Sequence, residues 1–124
     1  MTQRKPRSQP ESTVQREVIA YAVAALPRAL VFAVPNAARR TPSGRAANAV
    51  PGLMPGAPDL VICLPGGRVL WVEVKASRGR LSDAQFMFCG KLHALGHDYA
   101  VVRSLGDLRL TFDALGIATR EVGQ

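Results

Sequence analysis

The chain has 124 residues, 48% of them apolar, and carries 16 Lys and Arg against 9 Asp and Glu for a net charge of +7. That length holds one domain with a single core and needs no disulfide staples, and the apolar content excludes a wholly disordered chain. No apolar run approaches the roughly 20 residues that span a bilayer, and residues 1–10 lack the hydrophobic region of a secretory signal, so a cytoplasmic protein with no membrane partner is expected.

Residues 1–10, with Arg4, Lys5, Arg7 and two prolines, read as a flexible basic tail. A helix is predicted from Ser12, where Ser12-x-x-Gln15 has the form of a capping box, to about Leu26. Val14, Val18, Tyr21, Ala22 and Ala25 recur at helical spacing, and Pro27 ends the run. Residues 29–34, short, apolar and bounded by prolines, suit a strand. Residues 36–58 contain Gly, Pro, Ala, Ser and Arg with almost no large apolar side chain; a loop of that length inside a compact domain is usually functional. A strand over 59–64, a Pro65-Gly66-Gly67 turn and a strand over 69–75 make an antiparallel hairpin. Ser82 caps a helix to about Leu95, closed by Gly96. Residues 98–103 are a further strand and 107–115 a last short helix. The expectation is an α/β fold of order αβββαβα, with a mixed central sheet flanked by helices, as one domain over 11–118 followed by a tail at 119–124.

Cys63 and Cys89 fall among apolar neighbours with no CxxC and no nearby histidine, so buried reduced thiols are expected rather than zinc ligands. His93 and His97 stand four apart near a helix end without a visible third ligand, which favours surface or capping positions. The distribution of charge says more than its sum. Between Val18 and Pro58 there is no acidic residue, while Arg28, Arg39, Arg40 and Arg45 lie in that stretch. A second basic cluster, Lys75, Arg78 and Arg80, follows the hairpin. Such one-sided fields attract polyanions, chiefly nucleic acid, although many small basic proteins are merely soluble. Asn36, Arg39, Arg40 and Arg45 in the loop, with Arg78 and Arg80, are the candidate phosphate contacts. With few aromatic residues, backbone and shape recognition of duplex or branched DNA fits better than stacking on unpaired bases.

The chemistry concentrates at the hairpin's open end. Asp59 opens one strand, and Glu73 and Lys75 close its antiparallel partner. Strand residues alternate faces, so Glu73 and Lys75 point the same way, with Val69 and Trp71, while Leu70, Val72, Val74 and Ala76 point the other. A strand with apolar residues on both faces belongs inside a sheet, where a charge must be paired, hydrogen-bonded or bound to metal. If the register brings the two strands' charged faces to one side, Asp59 and Glu73 converge within reach of one divalent cation. Two carboxylates, the Val74 carbonyl and waters suit Mg²⁺ or Mn²⁺. Lys75 can hold the attacking water or stabilise charge growing on a phosphate. It is one of only three lysines in a chain with thirteen arginines, which favours a compact point charge at that position. The bland alternative makes Asp59 a turn residue after Pro58 and Glu73–Lys75 an exposed ion pair.

Pro58-Asp59 before an apolar strand, a tight turn, and Glu73-Val74-Lys75 ending the next strand resemble the PD-(D/E)xK nuclease superfamily with its restriction-endonuclease-like core. Gly56-Ala57-Pro58-Asp59-Leu60-Val61, Val72-Glu73-Val74-Lys75-Ala76, Gly79-Arg80-Leu81-Ser82 with Gln85, and residues 95–102 narrow the resemblance to the virus-type replication-repair nuclease (VRR-NUC) family. The resemblance covers roughly residues 12–104. It implies Asp59 and Glu73 as metal ligands, Lys75 as the catalytic lysine, Gln85 as an active-site helper and Glu17, on the first helix, as an additional acidic residue. Gln85 has a competing use in a Ser82-x-x-Gln85 capping box, but Phe88, Cys89 and Leu92 on its face turn it toward the sheet, and the site is preferred. Glu17 could equally be an ordinary solvated helix residue. The resemblance further implies a structure-specific DNA endonuclease of a bacterial or phage-infected cell, acting on branched DNA such as four-way junctions in DNA repair. A homodimer would place two sites on a two-fold axis. A catalytically silent DNA-binding module, an accessory subunit of a replication or restriction assembly, and an RNase on the same fold are the rival readings.

Overall fold

The computed structural model describes residues 10–35 and 51–122. Asn36, Arg39, Arg40 and Arg45 of the basic loop lie outside the described residues. The first helix, α1, spans Glu11–Ala25 and begins one residue ahead of the sequence expectation. Its N-cap is Pro10, whose carbonyl accepts the N–H groups of Thr13 (3.0 Å) and Val14 (3.1 Å). Ser12 is therefore inside the first turn and the Ser12–Gln15 capping box does not form. The proline ring already fixes the entry dihedral, and the Glu11 carboxylate sits at the positive end of the helix dipole.

Four strands follow the expected order, with boundaries one or two residues shorter: β1 Leu30–Ala33, β2 Leu60–Cys63, β3 Val69–Val74 and β4 Asp98–Val102. They lie in the order β1-β2-β3-β4, the first two pairings antiparallel and β3–β4 parallel. The hairpin closes through Pro65–Gly67, a 3₁₀ turn in which Gly66 and Gly67 take positive φ, and Leu64 N–H donates to the Arg68 carbonyl at 2.7 Å. The parallel partner needs a crossover, supplied by α2, Asp83–Ala94. The last helix, α3, spans Leu105–Ala114 and starts earlier than expected because Ser104 is its N-cap, accepting from Asp107 N–H at 3.1 Å. None of the described helices is long and apolar enough to cross a membrane.

One face of the sheet, Leu60, Ile62, Leu70, Val72, Val74, Ala100 and Val102, packs against Val14, Val18 and Ala22 of α1 and Leu108 and Phe112 of α3. Burial of these aliphatic side chains is the main driving force for the fold. The second face carries Phe32, Val61, Trp71, Glu73, Lys75 and Tyr99, and α2 packs over it along β4. On this face His97 is half-buried and its Nδ1 accepts from Trp71 Nε1 at 3.3 Å, which gives it a defined partner in place of the expected surface or capping position. Cys63 and Cys89 are free thiols, half-buried rather than buried, because α2 covers only part of that face.

The approach to β2 is held by backbone against backbone. Gly56 has φ +84° and lies on the first turn of α2, where a Cβ would come within 2.7 Å of Gln85 N and nearer still to the Ala84 carbonyl. Both the positive φ and the contact exclude a side chain. Gly52 shares the positive φ (+88°) but faces open space. Gly56→Ala is expected to destabilise the protein by about 1–3 kcal/mol more than Gly52→Ala, the usual cost of overpacking. Paired denaturant melts measure the difference, and equal losses would remove the helix contact as its cause.

Candidate active site

The pairing of Leu60 with Val72 and Val61 with Trp71 sets Asp59, one step before β2, opposite Glu73. Opposite residues of an antiparallel pair share a face, so both carboxyl groups stand on the same side at the same end of the sheet. Asp59 is fixed from two directions. Its backbone carbonyl accepts Val34 N–H at 2.8 Å, and its Oδ2 accepts Val74 N–H at 2.7 Å. The second bond holds the aspartate over the end of β3. Lys75 continues the parallel ladder by donating its N–H to the Val102 carbonyl at 3.0 Å, which keeps its side chain on the Glu73 face. The following turn, Gly79 N–H to Ala76 carbonyl at 2.8 Å, packs against the Lys75 Cβ and is clasped by the Arg103 guanidinium, which donates to the Gly79 carbonyl at 2.9 Å.

Glu73 is 0% exposed and Lys75 only 9%. Neither oxygen of the Glu73 carboxyl has a hydrogen-bond partner. With both groups ionised each is only an acceptor, whereas a protonated Glu73 can donate to Asp59. Burial is the largest influence on Glu73 and, with the adjacent Asp59 (through a shared proton and through like charge), pushes it from an ordinary 4.5 up to about 9. Lys75 pulls the other way, and Glu11 adds a further upward push. A divalent cation held by the two carboxylates would supply a positive charge to the buried Glu73 and the half-buried Asp59. The donors are all oxygen, which suits a hard cation such as Mg²⁺ or Mn²⁺. Among the described residues no group of three or more His, Cys, Asp or Glu is gathered to hold a metal, so waters and the Val74 carbonyl would have to complete the shell.

The other expected residues are placed less centrally. Gln85 forms the capping box: its Oε1 accepts Ser82 N–H at 2.8 Å while its own N–H donates to Ser82 Oγ at 3.1 Å. Its carbonyl oxygen is thereby engaged and its amide NH₂ remains as donor, on the helix turn that touches Gly56. Glu17 is exposed on α1, and Glu11, in the first turn of the same helix, is a minor upward influence on Glu73. Glu11 is itself exposed, three residues before the buried Val14. Arg78 and Arg80 are exposed in the segment that follows Lys75. Tyr99 was missed altogether. It shares the face of Trp71 and Glu73, its phenol is pushed upward by burial and by the charge of Glu73, and its hydroxyl is buried without a partner.

A family model, the VRR-NUC domain, matches residues 4–105, a span that contains Asp59, Glu73, Lys75 and Gln85. Comparison with curated proteins and with solved structures gives no match.

The raised Glu73 carboxyl fixes the sign of a pH effect. Folded and free of metal, it holds its proton to about pH 9, whereas an unfolded glutamate releases it near 4.5. Its contribution to stability is fully present below pH 4.5 and is lost as pH rises through about 9. Glu73→Gln replaces the acceptor by a group that can donate to Asp59. In EDTA at pH 9 the variant should be more stable than the native protein by about 1–3 kcal/mol, the usual cost of a buried unsatisfied group, with the gap closing toward pH 4.5. Thermal melts across that range measure it, and a gap that does not vary with pH would contradict the assignment.

Proposed function

The chain belongs to the VRR-NUC family of nucleases, and on that premise we propose that it is a divalent-metal-dependent endonuclease that hydrolyses phosphodiester bonds in DNA. The observation that carries the proposal is the Asp59–Glu73 pair: two carboxyl groups on one face at the end of β2 and β3, the second fully buried with neither oxygen partnered, and Lys75 on the same face. Asp59, Glu73 and the Val74 carbonyl would hold Mg²⁺ or Mn²⁺. Bound there, the ion would polarise a phosphate oxygen and make water a better nucleophile at neutral pH.

The chain's own groups have separate tasks. The Val74 N–H bond holds Asp59 in place before substrate arrives, so no reorganisation is needed when the phosphate docks. Lys75, mostly shielded from water, places an ammonium where the phosphate oxygens gain negative charge as water attacks phosphorus and the bond to the leaving oxygen breaks. Arg78 and Arg80, exposed just beyond Lys75, are placed to contact flanking phosphates, where they orient the strand without reading sequence. The NH₂ of Gln85, left free by the cap, would be a further donor to the substrate. Branched DNA, with four-way junctions foremost, is the proposed substrate, and a two-fold dimer would allow two symmetric incisions.

The test is a cleavage panel in Mg²⁺ or Mn²⁺ with four-way junction, flap, nicked and linear duplex DNA. The native protein should cut the branched substrates preferentially. Asp59→Asn and Lys75→Ala should each lower the rate at least about 100-fold while DNA binding is retained, the scale set by loss of one transition-state donor. Binding without cleavage of any substrate by the native protein would favour the silent DNA-binding module. Cleavage surviving Lys75→Ala would overturn its assigned role.

A further inference from the structure

Among the described residues, three buried side-chain oxygens lack a hydrogen-bond partner: the two of Glu73 and the hydroxyl of Tyr99. They belong to one cluster. Trp71 pairs with Tyr99 and Glu73 with Val101 across the parallel β3–β4 ladder, so Tyr99 and Glu73 are diagonal neighbours on the same face. Diagonal neighbours of a sheet are within reach of an aromatic side chain. A packing role alone would be served by phenylalanine, which fills nearly the same volume without burying a hydroxyl. Buried polar groups that lack protein partners are commonly joined by a water with two to four polar neighbours, and three such oxygens meet that requirement.

Resting on the reading of Asp59 and Glu73 as the ion-holding pair, we propose that Tyr99 is a positioning residue of that site: through one bridging water its hydroxyl donates to the Glu73 carboxylate and fixes its orientation toward Asp59. A phenol carries an O–H near neutral pH, so the hydroxyl is available as a donor. Partners that orient a ligand in this way commonly change metal affinity 10–100-fold when removed.

Tyr99→Phe deletes one oxygen and leaves the ring in place. Mn²⁺ binding to the native protein, Tyr99→Phe and Asp59→Asn is measured by titration calorimetry at pH 7.5, alongside metal-free thermal melts and single-turnover cleavage. The expected result is about a tenfold weaker Mn²⁺ affinity for Tyr99→Phe, a slower cleavage step with unchanged DNA affinity, and a metal-free melting temperature equal to or above native. Native Mn²⁺ affinity in Tyr99→Phe, with affinity lost in Asp59→Asn, would overturn the role of Tyr99 and leave the ion-holding pair intact. Failure of the native protein to bind Mn²⁺ would overturn both.

Discussion

Two carboxyl groups facing each other across adjacent strands, one of them cut off from water, raise the free energy of the folded chain unless a proton or a cation comes between them. Glu73 and Asp59 are in that position: burial of Glu73 first, then its hydrogen bond to Asp59 and their like charge, push the glutamate up to about 9. Lys75 offsets part of the excess charge, and neither Glu73 oxygen has a donor. Strained electrostatics of this kind tend to collect where chemistry occurs.

The rest of the structure keeps the pair from relaxing. Asp59 could turn toward solvent, but Val74 N–H anchors it to the end of β3. The loop leading to it could slide, but Gly56 is seated on the first turn of α2, whose own start is locked by the Ser82–Gln85 capping box. Beyond Lys75, Arg103 ties the turn at Gly79 to the end of β4, and Asp107 in turn accepts the Arg103 N–H at 2.8 Å at the start of α3. The carboxylates, the lysine and the helix ends around them are therefore one connected assembly resting on the aliphatic layer between the sheet and helices α1 and α3.

Much of this was legible in the residues alone because it depends on local chemistry. Alternation in residues 69–75, the Pro-Gly-Gly turn and the serine cap of α2 fix the hairpin and the helix, and the hairpin brings Asp59 to Glu73. Glu11 and Tyr99 were not found, for different reasons. Glu11 was hidden by a one-residue error at the start of α1: with Ser12 taken as the cap, Glu11 fell outside the helix, whereas it is an exposed residue of the first turn whose charge reaches Glu73. Tyr99 depends on the register of a parallel pair joined through α2, and no local signal in residues 75–98 sets that register. Gln85 shows a limit of another kind: the site was preferred for it, its side chain is engaged in the helix cap, and pattern alone cannot separate the two uses.

Membership of the VRR-NUC family identifies the chain as a nuclease by kinship, while the pairing of buried Glu73 with Asp59 gives a physical reason why it would need a divalent ion. The most direct test is anomalous diffraction from crystals grown above pH 7 and soaked in Mn²⁺. A manganese peak at the carboxylates of Asp59 and Glu73 is the predicted result. Crystals of a protein that cleaves DNA in Mn²⁺, yet show no peak at that pair under saturating metal, would contradict the account.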